Sequence, residues 1–140
     1  MITVAVGILI NNDSVLLCQR KSTACYALKW EFPGGKVEPD EHEEDCLRRE
    51  LREELGIDAT IGELFHRQDA EYADSGRFDV HYYLVDSFSG SLQNLVFERF
   101  LWTPVSSLPE FDILEGNRDV VNKLLESYGS NSAGTSSRTA

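Results

Sequence analysis

Positive charge is in short supply in this chain: 13 Lys and Arg stand against 24 Asp and Glu over 140 residues, a formal net charge of −11. So acidic a chain has no basic footprint for a nucleic acid polymer, which argues against general binding to duplexes or single strands. Any polyphosphate it handles has to arrive with its own cations. Cysteine is scarce too. Cys18, Cys25 and Cys46 are odd in number and lack metal-ligand spacing, which argues against a disulfide framework or a zinc site and predicts buried, reduced thiols of a cytoplasmic protein. Long hydrophobic runs are missing: the apolar start, Met1 to Ile10, has no basic leader and is too short to span a bilayer, so neither a secretory signal nor a membrane span is expected. There is no internal repeat and no interdomain linker, and 41% hydrophobic residues at this length predict one domain with one core. From Gly129 onward no large apolar residue occurs, so a domain over 1–128 and a flexible tail over 129–140 are expected.

What is present is strongly periodic. Ile2, Val4, Val6, Ile8 and Ile10 alternate as in a strand, Asn11 to Ser14 is a turn, and Val15 to Gln19 returns as a second strand. Trp30 to Phe32 enters a glycine-containing loop in extended form. Thr60 to Tyr72 and Arg77 to Val85 read as long strands about the turn Ala73 to Gly76, and Val96 to Trp102 as another strand. Pro104 to Pro109 is a short connector, and Glu115 to Tyr128 a helix with Val120, Val121, Leu124 and Leu125 inward. Strands mixed with two helices predict an α/β domain with helices covering a sheet.

Residues 35–57, GKVEPDEHEEDCLRRELREELGI, fit G-x5-E-x7-R-E-U-x-E-E-x-G-U, with U a bulky aliphatic, at every constrained position. Seven fixed identities and two aliphatic positions in that register coincide in a random chain of this length about once in ten million. Asp40 followed by Glu43 has the form of a helix-starting box and Gly56 that of a C-terminal stop, so Glu41 to Leu55 is expected to be helical. On that helix Glu50, Glu53 and Glu54 fall within an arc of about 100°. Leu47, Leu51 and Leu55 lie on an adjacent arc and dock the helix on a core. Three carboxylates so placed repel one another unless a cation neutralises them, and hard oxygen ligands suit Mg²⁺ or Mn²⁺ sharing substrate phosphates. A solvated, Glu-rich face is the simpler reading of an isolated helix. Against it, Phe32-Pro33-Gly34-Gly35-Lys36 brings bare backbone up to the carboxylates. Arg49 orients a box carboxylate by charge-assisted hydrogen bonds.

The 35–57 pattern is the Nudix box, and the run Trp30 to Glu38 resembles the MutT-type subgroup of Nudix hydrolases, which cleanse nucleotide pools. Leu108 to Asp112 and Gly116 to Val121 are similar to that subgroup's C-terminal end, so the resemblance covers roughly residues 1–126. It implies the Nudix fold, an α/β/α sandwich around a mixed sheet, and metal-dependent hydrolysis of a nucleoside diphosphate linked to another group. It also implies that the Gly35 carbonyl with Glu50, Glu53 and Glu54 holds the metals, that Glu41 partners Arg49, and that Lys36, with Gly34 and Phe32, meets the substrate. Arg20 matches a substrate-contacting arginine, or is a strand-end charge. Asn117 matches an asparagine that reads the base in 8-oxoguanine-specific members, an amide offering a donor and an acceptor to a purine edge, or it is a plain helix cap. Glu98 is the candidate for a further glutamate that binds metal or serves as base, although it sits closer to Trp102 than in the prototype. His66 and His81 read as surface or packing residues.

The expected chemistry is substitution at phosphorus by water, with a box carboxylate or Glu98 accepting the proton. By resemblance, attack on the β-phosphorus releases a nucleoside monophosphate and pyrophosphate, with 8-oxo-dGTP the expected substrate. A CTP or dCTP pyrophosphohydrolase shares much of the C-terminal pattern and stays open. The stretch between Pro39 and Pro104 has no proline, which weakens an ADP-ribose reading. Tyr72 gives faint support to dinucleoside polyphosphates. A non-catalytic nucleotide-sensing module is disfavoured because every box glutamate is present. Whether the chain is a monomer or dimer is left open.

Overall fold

The computed structural model describes residues 1–74 and 76–129; the expected tail lies outside them from residue 130 onward. β1 (Ile2–Asn11) is the axis of the molecule. Along one edge it pairs in parallel with β7 (Gly76–Val85), from Ile2↔Phe78 to Leu9↔Val85, and β7 carries antiparallel β6 (Leu64–Tyr72). The other edge of β1 is shared. Val4 to Val6 pair with β4 (Gly34–Lys36), while Ile10 and Asn11 pair with β2 (Ser14–Gln19) through a two-residue loop whose Asn12 has a left-handed φ of 58°. β2 in turn carries β3 (Trp30–Glu31) and β9 (Arg99–Pro104), and a small separate ladder joins β5 (Asp58–Thr60) to β8 (Ser87–Ser89). The sheet is therefore mixed, as expected.

Alternation along β1 feeds two faces. Val6 and Ile8 join Val15, Leu17 and Trp30 beneath α2 (Arg118–Leu124), which contributes Val120, Val121 and Leu124. Ala5 and Leu9 point the other way, onto Leu47, Leu51 and Leu55 of α1 (Glu43–Leu55). Helices on both faces give the α/β/α sandwich. The single core expected from length is two clusters separated by the sheet.

Several boundaries differ from the sequence reading. The segment after α1 is interrupted at 61–63, where Gly62 N–H donates to the Leu84 carbonyl at 2.8 Å, so the strand expected over 60–72 runs only from Leu64 to Tyr72, and Thr60 belongs to the separate β5. β9 starts at Arg99 rather than Val96, because Asn94 binds Phe97 N–H and carbonyl in a local turn. The C-terminal helix opens as a 3-10 turn, Glu115–Asn117, and passes from α to a π turn over Leu125–Gly129. α1 begins at Glu43, not Glu41, and its N-cap, His42, makes no side-chain cap bond. Asp40 is exposed at φ 66°. The capping box fails because the Glu43 side chain is taken elsewhere: it accepts from Tyr83 Oη at 2.6 Å and pairs with His81. Gly56 does close the helix, at φ 69°, donating to the Arg52 carbonyl at 3.0 Å. Cys18 and Cys46 are buried, but Cys25 is exposed in the loop after β2, where its carbonyl accepts from Arg20; all three are free thiols.

Candidate active site

The glycine loop and α1 meet at atomic contact. A Cβ on Gly35 would stand 2.3 Å from Glu50 Cδ, and one on Gly34 would stand 2.2 Å from the Ala5 carbonyl oxygen. Neither position has room for a side chain, because β4 is pressed between β1 and the carboxylates. Gly34 N–H donates to Glu54 Oε1 at 3.3 Å, and the Cys46 thiol, pushed up to about 12 by burial and by the Glu41 charge, faces the Gly35 and Lys36 carbonyls.

Arg49 organises the acidic cluster. It grips both oxygens of Glu41, at 2.9 and 3.0 Å, and extends Nη1 to Glu50 at 3.0 Å and Glu53 at 3.3 Å. The hydrogen bonds from Arg49, then the Glu38 N–H, hold the Glu41 carboxyl down to about 2. Exposure grades along the box: the Glu50 side chain is 17% exposed and that of Glu53 58% exposed. Glu54 lies inward, where burial first, then the hydrogen bond and charge of Glu50, push its carboxyl well above the ordinary range. A carboxyl that resists ionising beside two others is short of positive charge. The donor set of Glu50, Glu53, Glu54 and the Gly35 carbonyl is all hard oxygen, and a small divalent cation fits that deficit. Among the described residues no three His, Cys, Asp or Glu side chains close into a ready-made cage.

A cleft of about 230 Å³ opens from this loop. Gly34, Gly35 and Lys36 of the loop and Asn117 all line it, together with Phe32, Phe78 and Val80; Val6 of β1, also in the lining, separates Gly34 from Tyr82 in the sheet register. Arg20 lines it, with Nη1 at 3.2 Å from both Glu31 oxygens and Nε at 2.7 Å from the Cys25 carbonyl, so it is a held side chain, not a loose strand-end charge. Asn117 occupies the α2 N-cap position without a side-chain cap bond. It is buried, and its Oδ1 accepts from Tyr82 Oη at 2.7 Å. Lys36 is exposed at the mouth. Glu98 is exposed and accepts Ser22 N–H at 3.3 Å. His81 is buried between Glu43 and Asp79, and His66 bonds Gln68 at 3.0 Å.

Two residues of the cleft were missed from sequence. Glu31, whose carboxyl burial lifts against the pull of Arg20, was the one ionisable group between the apolar Trp30 and Phe32. Tyr82 stood on the inward face of the Phe78, Val80, Tyr82 alternation, but which acceptor its hydroxyl would meet depends on Asn117 at the start of α2, far away in sequence.

The NUDIX domain model matches residues 1–124. The chain belongs to the Nudix hydrolase family. Relatives of this Nudix chain include the CTP pyrophosphohydrolase of Escherichia coli K12, 44% identical over 103 residues that cover 73% of this chain and 75% of that protein. The 8-oxo-dGTP diphosphatase of Haemophilus influenzae is 33% identical over 126 residues, covering 89% and 92%. The solution structure of the E. coli ORF135 protein superposes with a TM-score of 0.79 at 34% identity, covering 96% of this chain and 93% of that one.

Proposed function

We propose that this Nudix hydrolase cleaves nucleoside triphosphates to the nucleoside monophosphate and pyrophosphate, using a divalent cation, Mg²⁺ or Mn²⁺, at Glu50, Glu53, Glu54 and the Gly35 carbonyl. The observation that carries the reading is one cleft lined both by the bare backbone of Gly34 and Gly35, against which Glu54 and Glu50 lie, and by the buried Asn117 amide among aromatic and aliphatic walls, read here as its phosphate end and its base end. That is the layout for a ligand with a polyphosphate and a base. The cation supplies neutralisation of the phosphates and a more acidic water. The chain itself does the rest. Arg49 fixes Glu50 and Glu53, Lys36 meets phosphate at the mouth, and a box carboxylate takes the proton from the attacking water. Glu98, tied to the Ser22 amide, is the other candidate for that proton.

Two bases are supported by different observations. The two relatives reported divide between them: 8-oxo-dGTP rests on the resemblance of the Trp30 to Glu38 run and on the relative covering 89% of the chain, and cytidine triphosphates on the higher identity of 44%. The test is a panel of 8-oxo-dGTP, dGTP, dCTP and CTP with a pyrophosphate readout, in Mg²⁺ or Mn²⁺ and in excess chelator. Pyrophosphate release that stops with chelator is the expected result. Turnover in excess chelator, or release of orthophosphate alone, would refute the reading.

A further inference from the structure

The base end of the cleft contains a polarity that the cleft's shape alone does not show. Tyr82 is 1% exposed, and burial pushes its phenol well up, so the hydroxyl keeps its proton and acts as a donor. Two acceptors lie in reach: Asn117 Oδ1 at 2.7 Å and the Gly116 carbonyl at 3.3 Å. The Gly116 carbonyl already receives Gln68 Nε2 at 2.9 Å. The proton therefore goes to Asn117, and the amide is locked with its oxygen toward Tyr82. Among the described residues, no hydrogen bond is donated by Asn117 Nδ2, although Asn117 is 7% exposed and lines the cleft.

We propose that Tyr82 is a positioning residue that fixes the direction of the Asn117 amide, so that the cleft presents N–H donors and selects a base edge made of acceptors, as in cytosine. This rests on the nucleotide reading above and names the base within it. Cytosine offers two adjacent acceptors, O2 and N3, to such a donor pair. Uracil differs at the same place by a protonated N3, which turns a donor toward a donor. 8-Oxoguanine likewise carries a proton on N7 beside O6. With the amide oxygen held on the Tyr82 hydroxyl, the side chain is oriented to offer its N–H donors rather than its oxygen, so the protonated nitrogen of these mixed edges meets a donor, and a mismatched buried polar group costs more than a missing contact.

The experiment is equilibrium binding of CMP, UMP and 8-oxo-dGMP, measured by calorimetry on the wild-type chain, Tyr82→Phe and Asn117→Asp, with a melting curve for each. Monophosphate binding needs no turnover, so a failed pyrophosphate assay and a failed polarity are separable. The wild type is expected to prefer CMP over UMP by about tenfold or more, the worth of one buried hydrogen bond. Tyr82→Phe frees the amide to turn and should erase that preference. Asn117→Asp replaces the donors with acceptors and should reverse it toward UMP, which serves as the decisive variant should Tyr82→Phe not fold. Equal binding of CMP and UMP by the wild type, 8-oxo-dGMP binding ahead of CMP, a preference retained in folded Tyr82→Phe, or an unchanged ranking in Asn117→Asp each overturns the proposal.

Discussion

Three glutamates of one helix face have three different surroundings, and the differences are set by fractions of a turn. Glu54 is turned inward against Gly34 N–H, Glu50 lies against Gly35 and Arg49, and Glu53 is mostly in solvent with one bond to Arg49. An exposed carboxylate on a helix contributes little to stability, so any strong requirement for Glu53 has to be chemical. Glu53→Gln keeps nearly the same volume and removes one charge. Its melting temperature should stay within about 2 °C of wild type, while kcat falls by orders of magnitude. A purified variant with near wild-type turnover would remove Glu53 from the metal set.

The β4 loop and α1 act as one unit, and the two glycines of the loop separate its structural from its chemical duty. Gly34 is pressed on the backbone of β1, which cannot move without breaking the sheet. Gly35 is pressed on the Glu50 carboxyl group, which can rotate away. Gly34→Ala should therefore cost folding stability, about 1–3 kcal/mol or more as overpacking into a fixed wall. Gly35→Ala should melt close to wild type and lose activity, because displacing Glu50 spoils the donor set. Denaturation curves paired with pyrophosphate assays check both. Equal stability losses in the two variants would show that Glu50 is as immobile as the strand.

For the whole molecule, β1 decides the arrangement by burying both of its faces, one under each helix, and Arg49 with Glu41 ties the segment ahead of α1 to the box. That ion pair has a pH signature. Glu41 ionises at about 2 in the folded chain and at about 4.3 when unfolded. In the pH window between, the unfolded chain binds the extra proton, so stability rises with pH there. The contribution is fully present above the unfolded value and is lost as pH falls through about 2. The melting-temperature gap between wild type and Glu41→Gln should accordingly be widest above about pH 5 and narrow toward about pH 2. A gap constant over that range would mean the pair carries no net stabilisation.

The sequence by itself determined the family, the mixed α/β architecture and the box. These rest on local spacing: a 3.6-residue period puts Glu50, Glu53 and Glu54 on one side and Leu47, Leu51 and Leu55 on another whatever the rest of the chain does, and Gly56 stops the helix from its own backbone geometry. Where local rules failed, a distant partner had outcompeted them. The expected capping box lost Glu43 to Tyr83 and His81, and the long strand expected over 60–72 lost its first residues, through Gly62, to the Leu84 carbonyl. The base end of the cleft was settled only in three dimensions. Arg20 finds Glu31 through the pairing of β2 with β3, and Asn117 finds Tyr82 across 35 residues of chain. A side chain's neighbours along the sequence limit its rotamers, but the direction in which an amide offers its donors depends on which hydroxyl the folded chain brings to its oxygen.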